Sequence, residues 1–195
     1  MKRGTTLLLS VLVACAVLLA QGGPARGKAQ LTLNGKTISV DYGRPPLKGR
    51  SMDALLAKLP PDRIWRAGEN QVTTLTTEGN LAIGGKEVQS GKYSVYVHIP
   101  AEGAWSLVLN TDPGIELIKI YAKAPEGVAH ALWPRLDGYT KNIADKEVAR
   151  IPMTKESVAP PVDLFTIDLY PASGGGVLKM SWGDTGYSVN FKAAP

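Results

Sequence analysis

Cysteine is almost missing from this 195-residue chain: there is one, Cys15, and it lies near the N-terminus. A single thiol cannot close an internal disulfide, and cysteine-based zinc sites and redox pairs are excluded with it. Histidine is nearly as scarce. His98 and His130 are the only two, with no His-x-His or His-Glu-x-x-His spacing, so a histidine-ligated catalytic metal lacks its usual ligands. The Gly-x-Ser-x-Gly elbow of serine hydrolases is absent. The run Gly174–Lys179 lacks the Gly-Lys-Ser/Thr ending of a phosphate loop. Neither a metal nor a cofactor is expected. Asp163 and Asp168 stand at odd separation, hence on opposite faces of a regular strand, which disfavours a paired-carboxylate glycosidase site there.

Long apolar runs are confined to one place. Lys2 and Arg3 precede an apolar stretch from Leu7 to Ala20, followed by a polar segment with small residues, the three-part form of a secretory signal. The stretch is shorter than the roughly 20 residues of a spanning helix. Residues 1–29 are therefore expected to be a signal peptide, with cleavage after Ala29 (or after Ala20), no transmembrane helix after its removal, and an exported chain, periplasmic or extracellular. Cys15, in the local run Leu-Val-Ala-Cys, resembles a lipoprotein processing site. The apolar residues that follow it favour an incidental place in the signal core over a membrane-anchored lipoprotein. The formal charge of +5 belongs to this leader as well: without Lys2, Arg3, Arg26 and Lys28 the 22 basic residues fall to 18 against 17 acidic ones. A balance near +1 carries no electrostatic footprint for nucleic acid.

Residues 30–195 are enough for one domain with a full core. Their apolar pattern has mostly period two, punctuated by glycine. Asn34-Gly35 is a hairpin dipeptide between two short strands. Tyr93, Val95, Val97 and Ile99 share one face of a strand whose other face carries Ser94, Tyr96 and His98. Ile115 to Lys123 alternates, and strands resume around Glu147, Asp163, Val177 and Tyr187, the last two joined by a turn over 183–186. The one helix expected follows Ser51 as N-cap and stops at Pro60. About nine short strands with one short helix predict an all-β fold, an antiparallel β-sandwich or partly open barrel.

The remaining chemistry is aromatic and cationic. Arginine offers a rigid charged fork for carboxylate or phosphate, and tryptophan a flat apolar face. Two stretches carry both kinds of group, Asp41–Arg50 and Asp62–Asn80, and they single out Tyr42, Arg44, Trp65, Arg66 and Asn70 as candidate ligand-binding residues. The same residues could instead plug the core and tie down a loop. Gly68 argues against a helix aligning Arg66 with Asn70 and favours an irregular entry into the threonine-rich strand.

These motifs resemble a known family. Tyr42, Arg44, Pro45, Lys48, Gly49, Arg50, Trp65, Arg66, Gly68, Asn70, Thr73, Gly91, Tyr93 and Ser94 match the pattern of domain of unknown function 2911, a mostly secreted bacterial family, specifically between about Ser39 and Asn110. The chain departs from that pattern beside Asn70, where Glu69 precedes and Gln71 follows. The resemblance implies export and supplies no reaction.

Three functional readings follow. The favoured one is a non-catalytic envelope or secreted module that binds a small polar or glycan-like ligand, or a protein partner, through the five candidates. The second is a structural or scaffolding protein in which the Trp-Arg-x-Gly-x-Asn motif is a latch. The third is a hydrolase of unrecognised type built on His98 or on carboxylates from different strands, and it has the fewest general bases to work with.

Overall fold

The computed structural model describes residues 26–135 and 138–194. Cys15 and the apolar run of the leader lie outside them. Strands β1 (Gly27–Leu33) and β2 (Lys36–Tyr42) form a hairpin. Its turn is closed by Asn34 and Gly35 at φ of 50° and 75°, the pair of positive angles that a twisted two-residue turn requires. Helix α1 (Met52–Leu56) begins where the Ser51 Oγ accepts the Ala54 N–H at 3.2 Å. Then come β3 (Ile64–Trp65), β4 (Thr74–Thr77), β5 (Leu81–Ile83), β6 (Lys86–Val88), β7 (Gly91–His98) and β8 (Ser106–Asn110). A looped region holds β9 (Ile115–Glu116), α2 (Leu117–Ile120), β10 (Leu132–Trp133) and α3 (Tyr139–Asn142). The chain closes with β11 (Glu147–Pro152) and a long hairpin of β12 (Thr154–Ala172) and β13 (Gly175–Ala193).

One large sheet runs β1-β2-β4-β7-β8-β11, with β3 also paired to β7, a second runs β12-β13-β5-β6, and β9 and β10 form a separate two-stranded ribbon. All pairings are antiparallel. Neither sheet closes on itself, and the fold is an all-β sandwich of the kind the alternation predicts. The main core lies between the sheets: Ile38, Val40, Leu75, Val95 and Leu107 from the first meet Ile83, Phe165, Ile167, Leu178 and Phe191 from the second.

Thirteen strands occupy the described residues instead of about nine, because several are two- or three-residue pairings that leave no periodic signal. Two segments differ from expectation. Ile115 to Lys123 keeps only Ile115–Glu116 as strand and then turns into α2; no sheet edge receives the rest, and Ile118, Ile120 and Tyr121 remain exposed. The turn expected over 183–186 is instead part of the continuous β13, where Gly183 at φ 64° marks a register shift opposite Val162. A glycine inside a strand commonly marks such a bulge. The face of β7 with Ser94 and Tyr96 is also covered, by Tyr139 and Ile143 of the looped region. The first sheet thus carries a second, smaller core outside the sandwich.

Candidate functional site

Two stretches of loop meet where the chain leaves β2 and β3. After β3 the chain turns at Ala67, φ 50°, and again at Asn70, φ 59°, with no helix between. Thr73 Oγ1 donates to the Ala67 carbonyl at 2.8 Å and fastens this turn from within. Gly43 lies so close to it that an added Cβ would stand 2.2 Å from the Glu69 carbonyl oxygen, and one on Gly68 would stand 2.8 Å from Thr73 Oγ1. The glycines are therefore a condition of backbone contact between the Tyr-Gly-Arg-Pro and Trp-Arg-Ala-Gly motifs.

The next residues bridge to the second sheet. Arg44 donates from Nε to the Phe165 carbonyl at 3.3 Å and from an Nη to Thr166 Oγ1 at 3.2 Å. Phe165 N–H donates to the Pro45 carbonyl and Leu47 N–H to that of Asp163. The Tyr42 hydroxyl, in the core, donates to the Ile167 carbonyl at 3.1 Å. Tyr42 and Arg44 tie the sheets together, and neither lines the cavity between Trp65 and Arg66. Asn70 is exposed and also outside it; its part is to hold a left-handed backbone position, which asparagine tolerates better than most residues.

The cavity itself, of about 510 Å³, is lined by both Trp65 and Arg66. Its volume is within the range of small-molecule pockets. Trp65 stacks on Trp182 of β13, with centroids 5.5 Å apart and planes 11° apart, and meets the edge of Phe165 at 4.8 Å. Leu55 and Leu56 of α1 add to the apolar wall. Three arginines line the cavity. Arg50 donates to the Leu47 and Pro46 carbonyls, and Arg135 to the buried Asp112 carboxylate. Arg66 alone of the three makes no hydrogen bond or ion pair with the described residues. Burial depresses its ionisation, and the negative charge of Glu69 only partly offsets this. Two further groups in the wall, Glu69 Oε1 and the Tyr96 hydroxyl, are shut off from solvent with no hydrogen-bond partner among the described residues. Burial pushes the Tyr96 phenol up to about 12, so at neutral pH it is an uncharged donor.

The histidines stand elsewhere. His98 does not line the cavity and its side chain makes no hydrogen bond among the described residues; burial first, then the Arg150 charge, lowers its pKa. His130 is exposed and contacts Glu116 at 3.2 Å. Among the described residues no group of three His, Cys, Asp or Glu side chains could hold a metal ion, and no helix is long and apolar enough to cross a membrane.

Sequence reasoning missed Glu69, Tyr96, Phe165 and Trp182. Glu69 sits inside a motif it had singled out, whereas nothing in the local sequence links Trp182 to Trp65. A family model described as protein of unknown function (DUF2911) matches residues 24–191. No curated protein and no solved structure matches the chain.

Proposed function

The chain belongs to the DUF2911 family, whose description names no reaction, and we propose that it is an exported, non-catalytic module that holds a small organic anion in the cavity between Trp65 and Arg66. The observation that carries this reading is the state of Arg66: a half-buried guanidinium, unpaired among the described residues, in the wall of an otherwise largely apolar cavity. A buried charge without a partner is costly, and a carboxylate on an apolar body would satisfy both the charge and the walls. Export rests on the N-terminal pattern of basic start, apolar run and small residues.

A ligand titration tests the reading. 3-Phenylpropionate, a carboxylate on an apolar body, is expected to bind the wild-type chain, and Arg66→Gln to weaken it roughly tenfold or more, the loss of one charge-assisted pair. Equal affinities, or no binding at millimolar ligand, would overturn it. The latch reading makes the opposite forecast, that removing the Arg66 charge unfolds the domain. Its support is at Arg44, Gly43 and Thr73, whose contacts are structural.

A further inference from the structure

We propose that the ligand of this cavity is a zwitterion, an amino-acid-like molecule whose carboxylate meets Arg66 and whose ammonium meets Glu69. The proposal rests on the anion-binding reading above and adds the second charge to it.

Arg66 and Glu69 are three positions apart and line the same cavity. In a helix such a pair would lie on one face and close on itself. Here Ala67 at φ 50° and Gly68 turn the chain between them. The charge of Glu69 acts on Arg66, yet no bond joins them, and Glu69 Oε1 is left buried without a partner among the described residues. The loop cannot readily collapse to bring them together. It is held by the Thr73 hydroxyl on the Ala67 carbonyl, by Val72 N–H on the Leu132 carbonyl at 2.9 Å, and by Gly43 against the Glu69 backbone. Two opposite charges thus stand preorganised, with no partner among the described residues, in the wall of one largely apolar cavity, and preorganisation of this kind lowers the ordering cost of binding.

The complement of such a pair is a ligand with one anionic and one cationic group on an apolar body. A plain anion would bring its charge towards Glu69, and a plain cation towards Arg66. Each would meet a like charge, so the pair selects against both. Stacked Trp65 and Trp182 with Phe165 supply the surface for an aromatic or aliphatic body.

Three ligands isolate the charges by calorimetry on the full chain: L-phenylalanine, 3-phenylpropionate, which lacks the ammonium, and phenethylamine, which lacks the carboxylate. Phenylalanine is expected to bind at least tenfold tighter than either. Glu69→Gln should reduce phenylalanine to the level of 3-phenylpropionate without weakening 3-phenylpropionate itself. Equal binding of phenylalanine and 3-phenylpropionate to the wild-type chain would overturn the zwitterion and leave the anion reading standing. No binding of any of the three would overturn both. Should Glu69→Gln fail to fold, the wild-type comparison still decides.

Discussion

A methyl group on Gly43 would stand 2.2 Å from the Glu69 carbonyl oxygen, whereas one on Gly127 would meet nothing within 4 Å. Gly43→Ala must therefore push the two motif loops apart, and is expected to cost at least the 1–3 kcal/mol typical of overpacking. Gly127→Ala should leave the melting temperature unchanged, and thermal unfolding of the two variants side by side checks both. Asp112 makes a second prediction at this scale. It is buried and accepts from Lys146 at 2.9 Å, from the Gly114 N–H at 2.9 Å and from Arg135 at 3.3 Å. Burial alone would raise its pKa, but the Lys146 hydrogen bond, the Gly114 N–H and the Arg135 charge together hold it below the usual carboxylate value. A carboxyl depressed on folding stabilises fully above its unfolded value and loses that contribution as pH falls through the folded one. Asp112 should thus stabilise the protein fully above about pH 4 and lose that contribution as the pH falls further, through its lowered folded value. Asp112→Asn is expected to cost about 1–3 kcal/mol at neutral pH, with the partly exposed cations free to return to water. It should also flatten the acid limb of the stability profile, which urea unfolding between acid and neutral pH would measure.

Strand β1 takes in Gly27–Ala29, which the sequence pattern assigns to the leader. These residues pair with Val40, Asp41 and Tyr42, and Arg26 just before them bonds to the Asp41 carboxylate and, at 3.0 Å, to the Val72 carbonyl. A cut after Ala29 would remove three of the seven pairs of this hairpin. On the reading of export proposed above, the mature chain is therefore expected to begin at or before Arg26, which intact-mass measurement of the protein recovered from outside the cytoplasm checks; an N-terminal Gln30 would contradict it. Small residues mark two expected cleavage points, after Ala29 and after Ala20, and only the second spares the pairing of residues 27–29 with β2. The same contrast separates β7 from α2. Tyr93, Val95 and Val97 alternate and find a neighbouring strand on each side, while the equally alternating Ile118 and Ile120 find none and end in a short exposed helix. Period two states that a segment could be a strand; a neighbouring edge makes it one.

The two sheets share one core, and Phe165 sits at its junction with the cavity. It is 1% exposed and touches Tyr42, Trp65 and Trp182. Phe165→Ala should cost about 3–5 kcal/mol and enlarge the cavity, with the loss read by denaturant unfolding and the change in indole packing by tryptophan fluorescence. The sequence by itself determined the β-rich character of the chain, the Asn34-Gly35 turn, the helix start at Ser51 and the glycine-dependent motif loops. Each of these depends on side-chain period or on backbone sterics within a few residues. Only the tertiary structure decided which motif residues serve the fold and which face the cavity. Tyr42 and Arg44 are consumed by carbonyls of β12, and Asn70 by its own turn. Arg66 and Glu69 remain unpaired among the described residues, beside a tryptophan delivered from the far end of the chain. A side chain's chemistry is local, but whether it has a partner depends on which distant backbone and side chains the packed sheets bring within reach.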